Sequence, residues 1–517
     1  MTSSSPRPWQ GPAGLGAIAA SIGCFLLTAL LGPSVMQPAL PGLPGQPPFS
    51  LDVHPSPYLV IGLVVAGILA GGGGLALCLT AVARGWRCRP MPLVVAGVLV
   101  AGAFAFLPPI GSGDHLNYAA YGRMVATGHD PYATRAVDLP GDPVIDAVEE
   151  WRRAPSVYGP IATAQEAFAS RIGGESMRLT VFVMSLINSL AFVLTAAVLY
   201  WTSGTRERRL RTALMWTFNP LLLFHLVAGS HNDTLAIAPM VAALAVFTGR
   251  RREGSDKASR APWTRSLAAG ALVGAAMAIK LPAGLVGGGP AWVLLARWRR
   301  TRERAVLWRL AALFGGAGAV AVVTFALAGP HAFDQVARAA NSVSLATPWH
   351  LVDLLLGRGG HRTFIKIGFV VLLLVLLWLL ARALPRDGEP GVAGGERDEA
   401  RRIAAALVLA WLFAAPYELP WYDGFAWAAL ALLAWSRFDW LLLAHTTAMS
   451  LAYLPARDPK LIGLPGNLEW LVTVVRGFVI PVLTTAILIA LILECRRRRD
   501  PVPAPVRSPR ASAESRG

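Results

Sequence analysis

Asp114 stands directly after an apolar run and opens the polar stretch GSGDHLNYAAYGRMVATGHDPYAT. A carboxylate at the edge of the hydrocarbon could take a proton from a hydroxyl nucleophile as general base. It could equally cap the short helix expected over 115–127, accepting backbone N–H bonds. His115 and Tyr118 follow on that helix, where they could touch a substrate. Asp130-Pro131-Tyr132 reads as a turn, with Pro131 fixing φ and Asp130 favouring the bend. Further on lies WRRAPSVYGP. Arg152 and Arg153 beside Trp151 could grip a phosphate or carboxylate bidentately, or form an interfacial helix with an aromatic anchor. Tyr158-Gly159-Pro160 reads as a rigid turn back toward the apolar runs.

A second group of polar residues sits far along the chain. His231, Asn232 and Asp233 begin an apolar run, at the depth expected for Asp114. One of them could be a helix N-cap, but three polar groups there are costly unless they line a wet cavity. Lys280 is one of four lysines in a chain where arginine is the default cation. It could snorkel to headgroups or bind a lipid phosphate. Arg123 and Arg338 add cations, His350 a titratable ring beside Trp349, and Glu418 and Asp423 bracket Trp421 and Tyr422. An interfacial aromatic belt would account for those last residues as well as a sugar site would.

These residues need a scaffold, and composition defines it. The chain has 517 residues, 54% hydrophobic and only 15% charged, against about 25% charged in a soluble domain. Apolar runs of about 17–25 residues recur, each able to cross ~30 Å of hydrocarbon. That excludes a soluble enzyme, a disordered chain and a disulfide scaffold. It also excludes a β-barrel, whose strands would alternate apolar and polar. The expected fold is an all-α polytopic transmembrane bundle of fourteen spans. They lie near 12–32, 57–83, 91–110, 179–201, 212–228, 233–249, 265–281, 283–296, 306–328, 364–384, 403–416, 421–436, 439–455 and 470–493. The pair split by Pro282 is the least regular.

Arginine clusters follow the second, fourth, sixth, eighth and last spans, and Arg401–Arg402 precede the eleventh. All fall on one side if both termini are cytoplasmic. The opposite, extracytoplasmic side then receives 34–56, the long loop 111–178, the loop 330–362 and the turn PYELPWYDG. The organisation expected is N-terminal spans over 1–110, an external catalytic loop with short amphipathic helices over 111–178, and central spans over 179–384. A cytoplasmic linker at 385–400, C-terminal spans over 401–494 and a disordered basic tail at 495–517 complete it. The net charge of +17 reflects this sidedness, and nucleic acid is not an expected partner. The four cysteines, Cys24, Cys78, Cys88 and Cys495, show no disulfide or metal spacing. A GxxxxGK[ST] loop, an HExxH helix and a Rossmann fingerprint are all missing from the sequence.

The order GDHLNYAAYGRMVATGHDPY, W(RR)APSVYGP, FNPLLLFHLVAGSHNDTLAI, AIKLPAGLV resembles the actinobacterial polyprenol-phosphate-mannose-dependent α-1,6-mannosyltransferases of lipoglycan assembly. These are membrane glycosyltransferases of the C superfamily. The resemblance covers roughly residues 90–430 and is clearest over 111–160 and 216–290. It implies that Asp114 deprotonates the acceptor hydroxyl. A second acidic residue found in some relatives has no obvious counterpart here.

Direct displacement at the anomeric carbon passes through an oxocarbenium-like state and inverts that centre. Lys280, Arg123, Arg152, Arg153 and Arg338 are the cations available to the leaving phosphate. Substrate contacts are expected from His115, Tyr118, Asp130, Tyr132, Tyr158, His231, Asn232, Asp233, His350 and Glu418. No metal or other cofactor is required by this reading. The expected partners are a polyprenyl-phosphate sugar donor, a glycan or glycolipid acceptor of the cell envelope, and the plasma membrane. The competing reading is a lipid-linked-sugar flippase or secondary transporter. The clustering of polar groups at one face, with little midplane charge, favours an enzyme fed from one side.

Overall fold

A computed structural model describes residues 9–249, 263–334, 341–357, 359–386, 395–458, 460 and 463–497. Among these the chain is helical, with one isolated β-bridge between Ser34 and Gln37. Arg338 lies outside the described residues, as do 387–394 of the expected linker and 498–517 of the expected tail.

The chain opens with α1 (Gln10–Leu31), α2 (Pro57–Ala83) and α3 (Pro90–Ala105). Proline at the first turn of α2 and α3 removes a donor that would have no partner there. Two short helices outside the apolar runs follow, α4 (Asp114–Ala126) and α5 (Pro160–Gly173), then the long α6 (Met177–Thr202). The fifth expected span is irregular. After α7 (Arg206–Thr212) it passes through a π-helical stretch, Ala213–Thr217, the one-turn α8 (Pro220–Leu222) and a second π stretch, Leu223–Ala228. Pro220 has no N–H to continue the ladder, and the Asn219 side chain accepts from Leu221 and Leu222 instead.

Next come α9 (Asp233–Thr248), α10 (Trp263–Met277), α11 (Gly288–Thr301) and α12 (Arg304–Ala328). Pro282 sits in a 3-10 stretch, Leu281–Gly287, between α10 and α11. The rest comprises α13 (Pro348–Leu355), α14 (Arg362–Ala383), α15 (Glu396–Ala414), α16 (Asp423–Ala431), α17 (Phe438–Ala452) and α18 (Ile480–Arg497). A π-helical stretch, Leu471–Val479, leads into α18.

Among the described residues, six helical segments are long and apolar enough to cross a membrane: α1, α2, α6, α12, α14 and Gly466–Arg497. The other expected spans are shorter or broken helices. Two boundaries move. α15 begins at Glu396, inside the expected linker, because Glu396, Asp398 and Glu399 favour a helix N-terminus and Glu399 pairs with Arg402. α18 continues to Arg497, inside the expected tail.

Small residues let helices approach closely where lipid offers no hydrophobic drive between them. A Cβ on Gly270 would lie 2.0 Å from the Leu313 carbonyl oxygen, and one on Gly316 2.2 Å from that of Leu267. α10 and α12 therefore meet backbone to backbone. At one end of the bundle Arg211 pairs with Asp439 at 2.8 Å and donates to the carbonyls of Leu430 and Leu433. At the other end the expected external segments meet. Gly159 N–H donates to Ile279 O at 3.0 Å, Arg457 pairs with Glu149, and His331 meets Asp130 at 2.9 Å.

Candidate active site

Asp114 is the first residue of α4, and Gly113 is the cap position. The capping reading is therefore corrected. The Asp114 carboxylate makes no cap bond, and its own N–H donates to Ser112 Oγ at 2.9 Å. That leaves the carboxylate free to face His231, whose Nδ1 lies 3.7 Å from Oδ2. The side chain is 12% exposed, so a small group can still reach it. Burial, aided by the Glu150 charge and opposed by Lys280, raises its carboxyl to about 7.

The aromatic and histidine neighbours of Asp114 form a continuous wall. Tyr118, one turn along α4, places its hydroxyl 3.4 Å from His231 Nδ1. Tyr158 donates toward the Tyr118 hydroxyl at 3.5 Å, and the two rings meet edge to face at 4.9 Å. His231 stacks on Trp421 at 3.6 Å and 17°, and Trp421 meets Tyr453 at 5.1 Å. Burial holds His231 well below the usual imidazole range, so it is neutral at pH 7. His115 is also buried and is lowered to about 3, first by burial and then by Arg457.

Asp233 and Lys280 form the ionic centre. Lys280 Nζ donates to both Asp233 oxygens, at 2.7 and 2.8 Å. Asp233 is fully buried and the lysine side chain is 11% exposed. Lys280 also lies over the Tyr422 ring at 4.2 Å and near Tyr158 at 5.8 Å. It is thus neither snorkelling nor free for a phosphate alone. Two of its three donors hold Asp233, and one remains. Asn232 occupies the N-cap position of α9 without a side-chain cap bond. It faces Glu166 on α5, a carboxyl that burial raises to about 8 although Asn232 opposes this. Glu166 is a further buried acid, beside Asn232, that was not legible in the sequence.

Other expected site residues have different work. Arg123 is corrected to a structural role. It pairs with Asp142 at 2.7 Å and donates to Gly174 O at 3.2 Å, tying α4 to the loop. Arg152 sits 3.6 Å from Asp146, and Arg153 is exposed. Residues 151–153 are not helical, so the interfacial-helix reading falls as well. Asp130 forms the expected turn through Tyr132 N–H, and the Tyr132 hydroxyl meets Thr163 Oγ1 at 2.9 Å. His350 is half-buried on α13 and does not line the cavity described next.

That cavity, about 590 Å³, adjoins the Trp421–Tyr453 wall. Its lining includes Glu149, Glu150, Trp151, Tyr417, Glu418, Tyr453, Arg457, Asp458 and Arg476. Arg476 donates to the carbonyls of Ala452 at 2.6 Å and Pro455 at 2.9 Å and lies over the Tyr453 ring at 4.9 Å. It was missed although a signal existed: it is a lone arginine inside the last apolar run. Glu418 is buried 3.5 Å from His445 Nε2, while Asp423 meets His445 Nδ1 at 3.1 Å. Burial raises the Glu418 carboxyl, with His445 opposing. These three residues could hold a metal ion, their ligand atoms lying within 4.8 Å of one another. The fit is poor, because each imidazole nitrogen already faces its own carboxylate and Asp423 also accepts from Thr446 at 2.5 Å. The set reads as a buried ionic network in which Asp423 is fully engaged, while Glu418 Oε1 has an ion-pair contact to His445 at 3.5 Å but no hydrogen bond.

The fold and site define a polytopic helical membrane protein with a cluster of buried titratable side chains around Asp114, His231, Asp233 and Lys280. The chain belongs to the alpha-(1->6)-mannopyranosyltransferase family, whose N-terminal domain matches residues 23–297, more than half of its length. It is 27% identical over 358 residues to alpha-(1->6)-mannopyranosyltransferase A of Mycobacterium tuberculosis, covering 64% of this chain and 63% of that one. A probable alpha-(1->6)-mannopyranosyltransferase of Mycolicibacterium smegmatis is 29% identical, covering 64% of this chain and 62% of the relative. The chain therefore spans somewhat under two thirds of the length of these relatives. Among solved structures, ArnT from Cupriavidus metallidurans bound to undecaprenyl phosphate is similar at a TM-score of 0.40 and 17% identity, covering 78% of this chain and 77% of that one. Archaeal oligosaccharyltransferase AglB from Archaeoglobus fulgidus follows at 0.36 and 13%, covering 79% and 56%.

Proposed function

We propose that the protein transfers mannose from a polyprenyl-phosphate donor to an α-mannoside of a cell-envelope glycan or glycolipid, on the extracytoplasmic face. Family membership supports the sugar and the linkage class. The observation that carries the chemistry is Asp114 itself. It is a part-exposed carboxylate, free of any capping role and raised to about 7, beside a neutral His231 and the Lys280–Asp233 pair. A base with that affinity for protons can accept one from a hydroxyl near neutral pH. The acceptor oxygen attacks the anomeric carbon, the bond to phosphate breaks, and the acceptor proton passes to Asp114. Inversion of a β-linked donor gives the α-linked product. The remaining donor of Lys280 is the cation nearest to hand for the leaving phosphate.

The test uses membranes carrying the wild-type chain, or none, with radiolabelled polyprenyl-phosphate-mannose and a short α-mannoside. Label should pass to the acceptor only where the chain is present. Transfer from another lipid-linked sugar but not from mannose would overturn the donor assignment. Carriage of the lipid-linked sugar across sealed vesicles without transfer would establish the transporter instead.

A further inference from the structure

We infer that the 590 Å³ cavity is the subsite for the acceptor saccharide, with Trp151 as its stacking platform, and that the donor phosphate enters outside it, by Lys280. The inference rests on the glycosyltransferase reading above and adds where each substrate sits.

Charge decides between the two substrates. The cavity is lined by four carboxyl residues, Glu149, Glu150, Glu418 and Asp458, and two guanidinium groups, Arg457 and Arg476. Arg457 is already bound to Glu149, and Arg476 is turned onto two backbone carbonyls. A phosphate placed there would face these carboxyl groups with both arginines already engaged. A neutral polyhydroxylated ligand meets acceptors and donors for its hydroxyls, together with the Trp151, Tyr417 and Tyr453 rings for its C–H faces. The volume lies within the ~300–1,000 Å³ common for ligand sites.

Trp151 supplies an independent observation. Its φ is +60°, the left-handed region that bulky side chains avoid. It is also 59% exposed at the cavity rim. An outward-facing ring held in a strained backbone adds no packing to the core. Strain of this kind concentrates where a ligand is held.

The cavity connects to Asp114 through its wall: Tyr453 meets Trp421 at 5.1 Å, His231 stacks on Trp421 at 3.6 Å, and His231 Nδ1 lies 3.7 Å from the Asp114 carboxylate. Lys280 does not line that cavity and is held by Asp233. Beyond Lys280, an apolar groove of about 500 Å³ begins at the next residue, Leu281, and continues over Phe325, Pro330 and Phe333. A lipid-linked phosphate reaching Lys280 can lay its isoprenoid there, while a saccharide in the cavity presents its hydroxyl to Asp114.

The test is Trp151→Ala in the full chain, with an octyl α-1,6-mannobioside as acceptor probe and polyprenyl-phosphate-mannose as donor. Because Trp151 is exposed, the variant should fold, and an unchanged thermal midpoint in detergent confirms this. The acceptor KM should rise about tenfold, the loss typical of truncating an aromatic anchor, with the donor KM within about twofold. Trp151→Phe should recover most of the loss. A rise in donor KM with acceptor KM unchanged, or no change in either, would overturn the proposal. If the wild-type chain transfers no mannose, saturation-transfer NMR with the mannobioside separates the two claims. Binding lost in Trp151→Ala keeps the subsite while the transferase reading fails, and equal or absent binding in both proteins ends the subsite too.

Discussion

Replacing Lys280 by Met removes the cation that the fully buried Asp233 carboxylate is bonded to, since Asp233 is 0% exposed and both its oxygens accept from Nζ. Losing one member of a buried pair costs about 3–5 kcal/mol, because the other charge is left without water or partner. The lysine side is 11% exposed, which places Lys280→Met at the lower end, about 3 kcal/mol. Asp233→Asn leaves the part-exposed lysine, whose flexible stem can carry the ammonium toward water, so its cost should be nearer ~2 kcal/mol. In the double variant neither charge remains, and the loss should fall to about 1 kcal/mol, a coupling of roughly 4 kcal/mol. Unfolding in detergent, followed by tryptophan fluorescence, reads the cycle. Mannosyl transfer reads the second role. If Lys280 also meets the leaving phosphate, the double variant regains stability but not turnover. Additive stability losses, with coupling below about 0.5 kcal/mol, would refute the buried-pair reasoning.

Turnover should depend on pH through Asp114. Its carboxyl is raised to about 7, so the base is protonated and idle in acid. kcat/KM should climb as pH rises, reaching half its plateau near 7, and a profile flat from about pH 5 to 9 would contradict the assignment. Gly122→Ala puts a Cβ 2.2 Å from the Glu166 carbonyl oxygen. The α4 and α5 backbones must separate, costing about 1–3 kcal/mol and displacing Asp114, so both thermal midpoint and transfer should fall, and retention of both would show that the helices have room. Transfer should persist in excess chelator, because His445 is already held between Glu418 and Asp423. Loss of activity restored by a divalent ion would return that cluster to consideration as a metal centre.

The bundle was legible because a membrane span leaves a coarse mark: an apolar run of a certain length, with arginines at alternate ends. Each expected span has a helical counterpart, and even the weak pair at Pro282 appears as a break. What the pattern could not carry was geometry within a span. The π stretches at 213–217 and 223–228 look like any apolar run. In the site, Asp114, His231, Asp233 and Lys280 were found because charge beside hydrocarbon is costly and therefore informative. Their pairing was not, since Lys280 reads the same whether its partner is a lipid phosphate or an aspartate 47 residues away. Arg123 looked like a ligand for the same reason, while Asp142 waited in the same loop to take it. Glu149, Glu150 and Arg457 reach the cavity from loops about 300 residues apart, which no local pattern records.

The most direct test compares wild-type, Asp114→Asn and Asp114→Glu chains in one membrane preparation, scored by transfer of labelled mannose and by binding of the lipid donor. The account predicts that Asp114→Asn binds donor as the wild type does but transfers none, and that Asp114→Glu keeps a fraction of the rate. Transfer by Asp114→Asn at a rate near wild type would contradict it.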